Sequence, residues 1–114
     1  MSKEDVYALS AECGIPMAHM FFPEGSAPPL PWTVFFLDEE NGLYADDRVY
    51  AHVERWTLEL YQRSSDSQLE ERLEAAIERA FGPYSKEESW VEKENCLLTA
   101  YTFTCITRKD VQDG

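Results

Sequence analysis

A chain of 114 residues is one domain by length, large enough to bury a single core but too short for a second one with its own cleft. Its 22 acidic residues against 10 basic ones leave a formal net charge of −12, which disfavours a nucleic-acid backbone as ligand because no lysine- or arginine-rich patch is there to displace counterions. The three cysteines form no C-x-x-C pair, no secretory segment opens the sequence and no apolar run reaches the length of a membrane span; a disulfide framework, a clustered zinc site and a membrane role are therefore disfavoured, and a reducing cytoplasm is expected.

In chain order, Ser2 followed by Asp5 has the form of a capping box. Val6, Leu9 and Cys13 then recur on one face until Gly14, a natural terminator, closes a first amphipathic helix. "IPMAHMFF" (15–22) reads as a strand. "PEGSAPPLP" (23–31) interrupts it with four prolines and a glycine, and a loop of that length in so small a domain is a candidate for binding. "WTVFFLD" (32–38) is aromatic and β-branched, and "DRVYAHVERW" (47–56) and "WTLELYQR" (56–63) alternate apolar with polar residues. These are expected to form a three-strand antiparallel meander, since connections so short exclude helical crossovers.

Between the first two of these strands lies "DEENGLYADD" (38–47), with Asp38, Glu39, Glu40, Asp46 and Asp47 around one glycine. The register of a calcium loop fails, because counting from Asp38 puts Leu43 where that loop needs glycine. Asn41-Gly42 is instead the signal for a type I′ hairpin turn, so the stretch is expected to be an acidic, metal-free hairpin tip.

"SSDSQLEERLEAAIERAFGP" (64–83) carries a possible capping box at Ser67 and Glu70 and an apolar stripe of Leu69, Leu73, Ala76, Ile77, Ala80 and Phe81, with Gly82-Pro83 as a stop. "SWVEKE" and "CLLTAYTFTCIT" form a closing hairpin around Glu94-Asn95, leaving residues 108–114 as a polar tail after a single domain spanning 1–107. An amphipathic helix buries its stripe only against another apolar surface, and the sheet supplies one. The fold class that follows is α+β, a two-layer sandwich of an antiparallel sheet with two helices packed on one face.

No catalytic constellation stands out. His19 and His52 lie in expected strands without a carboxylate or cysteine at ligand spacing, and Cys13, Cys96 and Cys105 sit in apolar segments as small core residues. "QRSSDS" lacks a nucleophile elbow, and the scattered glycines form no phosphate loop. What remains is surface-forming: the acidic stretch, the proline-rich loop with Glu24, Pro28, Pro29 and Leu30, and strand aromatics in excess of what one sheet face covers. These nine acidic and loop residues (Asp38, Glu39, Glu40, Asp46, Asp47, Glu24, Pro28, Pro29, Leu30) are the candidate interface, and neither cofactor nor metal is expected.

The N-terminal helix, the "PPLPWTVFFL" strand, "WTLELY" leading into "SDSQLEERLEAAI", and the final "TAYTFT" strand together resemble the tail-terminator (tail-completion) proteins of long-tailed bacteriophages over nearly the whole chain. The resemblance implies a non-enzymatic virion protein, assembled in the host cytoplasm. It would form a homo-oligomeric ring, with six copies expected, on the end of the tail tube, and would contact the tail-tube and head-completion proteins. DNA would pass through the ring without specific binding, past a wall that the acidic residues would line. Head-tail joining proteins of the same phages fit nearly as well. Two readings from other classes stay open: a small acidic DNA mimic that inhibits a basic host factor, and an enzyme with His19 or His52 in a cleft beside a carboxylate or thiol.

Overall fold

The structure is a computed structural model and describes residues 3–22, 27–45 and 48–108. In chain order it comprises α1 (Lys3–Cys13), β1 (Met17–His19), β2 (Trp32–Ala45), β3 (Arg48–Gln62), α2 (Ser67–Phe81), β4 (Tyr84–Val91) and β5 (Cys96–Arg108). The five strands form one sheet in the order β1-β2-β3-β5-β4. Every pairing is antiparallel except that of β1 with β2, which is parallel over Met17–His19. The fold is thus α+β as expected, but the sheet is mixed. A chain that enters along β1 and returns through the long proline loop comes back into β2 in the same direction, and a loop of that length permits this where a tight hairpin would not.

Both helices lie on one face. Val6, Leu9 and Cys13 of α1 and Leu69, Leu73, Ala76 and Ile77 of α2 join Phe35, Trp56, Leu58, Leu60, Tyr101, Phe103 and Cys105 of the sheet in a single buried cluster. The helical stripe read from the sequence is the one that is buried, with Phe81 stacked on Phe103 (ring centroids 4.5 Å apart), except that Ala80 faces solvent. At 25 cal/mol per Å², each fully buried leucine here contributes roughly 2 kcal/mol against its exposed state. Glu12 and Arg79 form an ion pair that ties α1 to α2 across their solvent side.

Three local expectations are corrected. The hairpin does not turn at Asn41-Gly42: Asn41 pairs with Val53 and Gly42 with His52 inside the ladder, which continues to Ala45 opposite Arg48. Positive φ is permitted to Asn and Gly but not imposed on them, and the longer ladder keeps Trp56, Leu58 and Leu60 in register with Leu37, Phe35 and Thr33. For the same reason the two segments 47–56 and 56–63 are one continuous strand, so the meander is a two-strand hairpin. The cap of α2 is Asp66, whose carboxylate accepts from Leu69 N–H at 3.2 Å, rather than Ser67. Helix ends marked by glycine were legible: Gly14 and Gly82 both adopt positive φ, +70° and +96°, and accept the chain reversal that follows each helix. Asn95, with φ 52°, turns the chain between β4 and β5.

Candidate functional site

Of the nine residues expected at an interface, the structure brings few together. Asp38 is the extra residue of a β-bulge between Leu37 and Glu39. There its carboxylate accepts from the Thr57 hydroxyl and faces Arg55 Nε at 3.9 Å. Glu39 and Glu40 follow within the ladder, opposite Arg55 and Glu54. At roughly 3.3 Å per residue, Ala45 lies about 23 Å beyond Asp38 along the strand, so Asp38, Glu39 and Glu40 belong to the ladder and not to its turn. Asp46, Asp47 and Glu24 lie outside the described residues. Pro28 and Leu30 are half-buried, and Pro29 is exposed.

The sheet has a second face that carries no helix among the described residues. Since side chains alternate across a strand, the neighbours of the core positions form three rows there. These rows are Trp32, Tyr61, Leu98 and Ser89; then Val34, Glu59, Ala100 and Glu87; then Phe36, Thr57, Thr102 and Ser85. The rows grade from aromatic on β2 to polar on β4. Trp32 stands 4.5 Å from the Tyr61 ring and 5.1 Å from Phe22, centroid to centroid, making an aromatic group beside the loop that carries Pro28 and Leu30. Val34 is only 6% exposed although no helix covers it. Thr57 links to Thr102 at 3.2 Å, and next to that seam Arg55, Pro83, Tyr84, Ser85, Thr102 and Thr104 line a depression open to solvent. Chemically this face offers apolar contact on one side and hydrogen bonding on the other. Alternation within 55–61 was the sequence signal for it. The seam itself was invisible, because Asp38, Thr57 and Thr102 are brought together only by register.

Of the candidate chemical groups, His19 and the three cysteines are described. His19 rests against Phe35 and Trp56, with ring centroids 5.0 and 6.5 Å away; the side chain of His52 is outside those described. All three cysteines are buried and unbridged. Burial pushes the thiols of Cys13, Cys96 and Cys105 up, that of Cys105 to about 11 with Glu54 adding to the effect, so none presents a thiolate near neutral pH. Among the described residues no group of three or more His, Cys, Asp or Glu side chains is arranged to hold a metal ion, and no helix is long and apolar enough to cross a membrane.

A polar network that sequence reasoning missed lies where α2 crosses β3, β4 and β5. Glu70, only 5% exposed, accepts from Gln62 and Ser65 at 2.8 Å each and from Lys86 Nζ at 3.1 Å. Lys86 reaches Glu74 as well, at 2.7 Å, and Glu74 accepts from the Tyr101 hydroxyl at 2.8 Å. Burial alone would raise the Glu70 carboxyl, but the bonds from Ser65, Gln62 and Lys86 outweigh it and hold the group below the ordinary glutamate range. Lys86 is correspondingly held above the ordinary lysine value, first by its bond to Glu74. The network fixes the helix on the sheet.

No protein-family model matches the sequence, and no curated protein matches it. Among solved structures, the chain is similar to one in the virion of a native gene transfer agent particle: 16% identity, a TM-score of 0.56, and coverage of 93% of this chain and 90% of that one. At that identity the likeness is one of fold, and it extends over nearly the full length of both chains.

Proposed function

We propose that this chain is a structural protein of a phage-like virion and, within that class, a tail terminator: a ring of six copies that closes the tail tube and meets the head-completion proteins, with DNA passing through its lumen. The observation that carries the reading is the fold shared, over nearly all of both chains, with a protein of an assembled gene transfer agent virion. The surfaces support it. One sheet face is sealed by two helices, while the other keeps an aromatic and aliphatic patch of the kind that subunit contacts bury. The β2–β3 ladder runs on from the buried Trp56 to Ala45 opposite Arg48, a length of paired strand that a neighbour could contact. A net charge of −12 suits a lumen that must not hold DNA phosphates. Contacts between copies must be heterologous, because a two-fold patch stops at a dimer.

Analytical ultracentrifugation across protein and salt concentrations tests the self-association. The expected result is a monomer or weak oligomer at low salt that associates more strongly as salt screens the like charges. Electron microscopy with purified tail tubes should then show rings at tube ends. Binding on the head side only would reassign the chain to the head-tail joining proteins, and a stable two-fold dimer that never caps tubes would sink the proposal.

A further inference from the structure

Strand β4 ends the sheet: it pairs with β5 along one edge, and no strand among the described residues lies along the other. Six consecutive residues, Ser85 to Trp90, are exposed. An edge strand of this kind displays a row of backbone donors and acceptors that another chain can pair with. Glu87 and Glu88 stand on opposite faces of it, and exposed Glu92 and Glu94 follow in the turn with Lys93. The strand's own cation does not balance them, because the ammonium of Lys86 is held by Glu70 and Glu74 at 3.1 and 2.7 Å. Charged residues on an edge are a common guard against self-pairing, and that accounts for the carboxylates. It does not account for Trp90, which is 51% exposed on the same strand and presents a large apolar surface to water.

We propose that β4 is the docking lane for an extended, lysine- or arginine-bearing segment of a partner protein. The segment adds as a sixth strand, sets its cations against Glu87 and Glu88, and covers Trp90. A second copy of this chain is the poorer occupant. Edge-to-edge pairing of two β4 strands would oppose their carboxylates, and the other open edge, β2 beyond its pairing with β1, runs through Asp38, Glu39 and Glu40. The lane is independent of the ring reading, since a basic strand could dock on a monomer.

Hydrogen exchange on the full chain tests it, with two synthetic twelve-residue peptides as probes, one alternating lysine pairs with threonine pairs so that lysines fall on both faces, and the other alternating glutamate pairs with threonine pairs. The lysine peptide should slow exchange across 84–91, and the glutamate peptide should not. The double variant Glu87→Lys/Glu88→Lys, altered only at exposed positions and checked for native circular dichroism, should weaken the lysine peptide at least about tenfold. Trp90→Ala should weaken it without changing the preference for lysine. Equal protection by both peptides, no protection by the lysine peptide, or protection on another strand would overturn the proposal. So would protection of β4 that grows with the chain's own concentration in the absence of peptide, which would make a second copy the occupant.

Discussion

Replacing Lys86 by methionine removes the one cation of the network under α2 while keeping most of the apolar stem. In the folded protein Lys86 Nζ serves Glu70 and Glu74 together, and Glu70 is almost wholly out of water. Removing one partner of a fully buried pair costs about 3–5 kcal/mol, mostly from the charge left behind. Lys86 keeps about a third of its side chain in water, and Gln62 and Ser65 still donate to Glu70, so the expectation falls to about 2–3 kcal/mol. For a domain of this size that is a drop of about 8–12 °C in Tm.

The pH dependence gives the sharper check. Glu70 has its folded value lowered, so its contribution is present above the unfolded value of about 4.3 and is lost as pH falls through the folded one. Lys86 has its folded value raised, so its contribution is full below about 10.4 and is lost as pH rises through the folded value. Thermal melts of wild type and Lys86→Met from pH 3 to 8 should therefore show a deficit that is largest near neutrality and shrinks below about pH 4, as the carboxylates left without their cation become protonated. The double variant Lys86→Met/Glu70→Gln should recover part of the loss, because it removes the orphaned charge. A deficit under about 2 °C, or one that stays constant over the whole range, would refute the reasoning.

Asp66→Ala should cost about 1 kcal/mol in urea unfolding and Ser67→Ala much less, since the cap of α2 is Asp66; the reverse order would restore the capping box at Ser67. Leu73→Ala, at a fully buried position between α2 and the sheet, should cost about 3–4 kcal/mol by the same measurement. Under native conditions at pH 7.5, Cys13, Cys96 and Cys105 should react with a disulfide reagent far more slowly than in denaturant, as burial both shields the thiols and disfavours the thiolate; one fast equivalent would contradict the placement.

Periodicity and punctuation determined much of this protein. The alternate apolar residues of 32–38 and 56–61, the helical stripe from Leu69 to Phe81 and the glycines at 14 and 82 are local signals, and each led to the element found, because a strand's period of two and a helix's of 3.6 sort side chains before any long-range contact forms. Register is not local. Asn41-Gly42 carries the strongest short turn signal in the chain, yet it sits in a ladder whose length is decided by pairing Phe35 with Leu58 and Leu58 with Tyr101. The same long-range pairing places Asp38 on Thr57, and packing of α2 on the sheet places Lys86 between Glu70 and Glu74, contacts that span 12 to 19 positions along the chain. Only the tertiary structure could show which carboxylates are neutralised inside the fold and which, along β4, are left facing water.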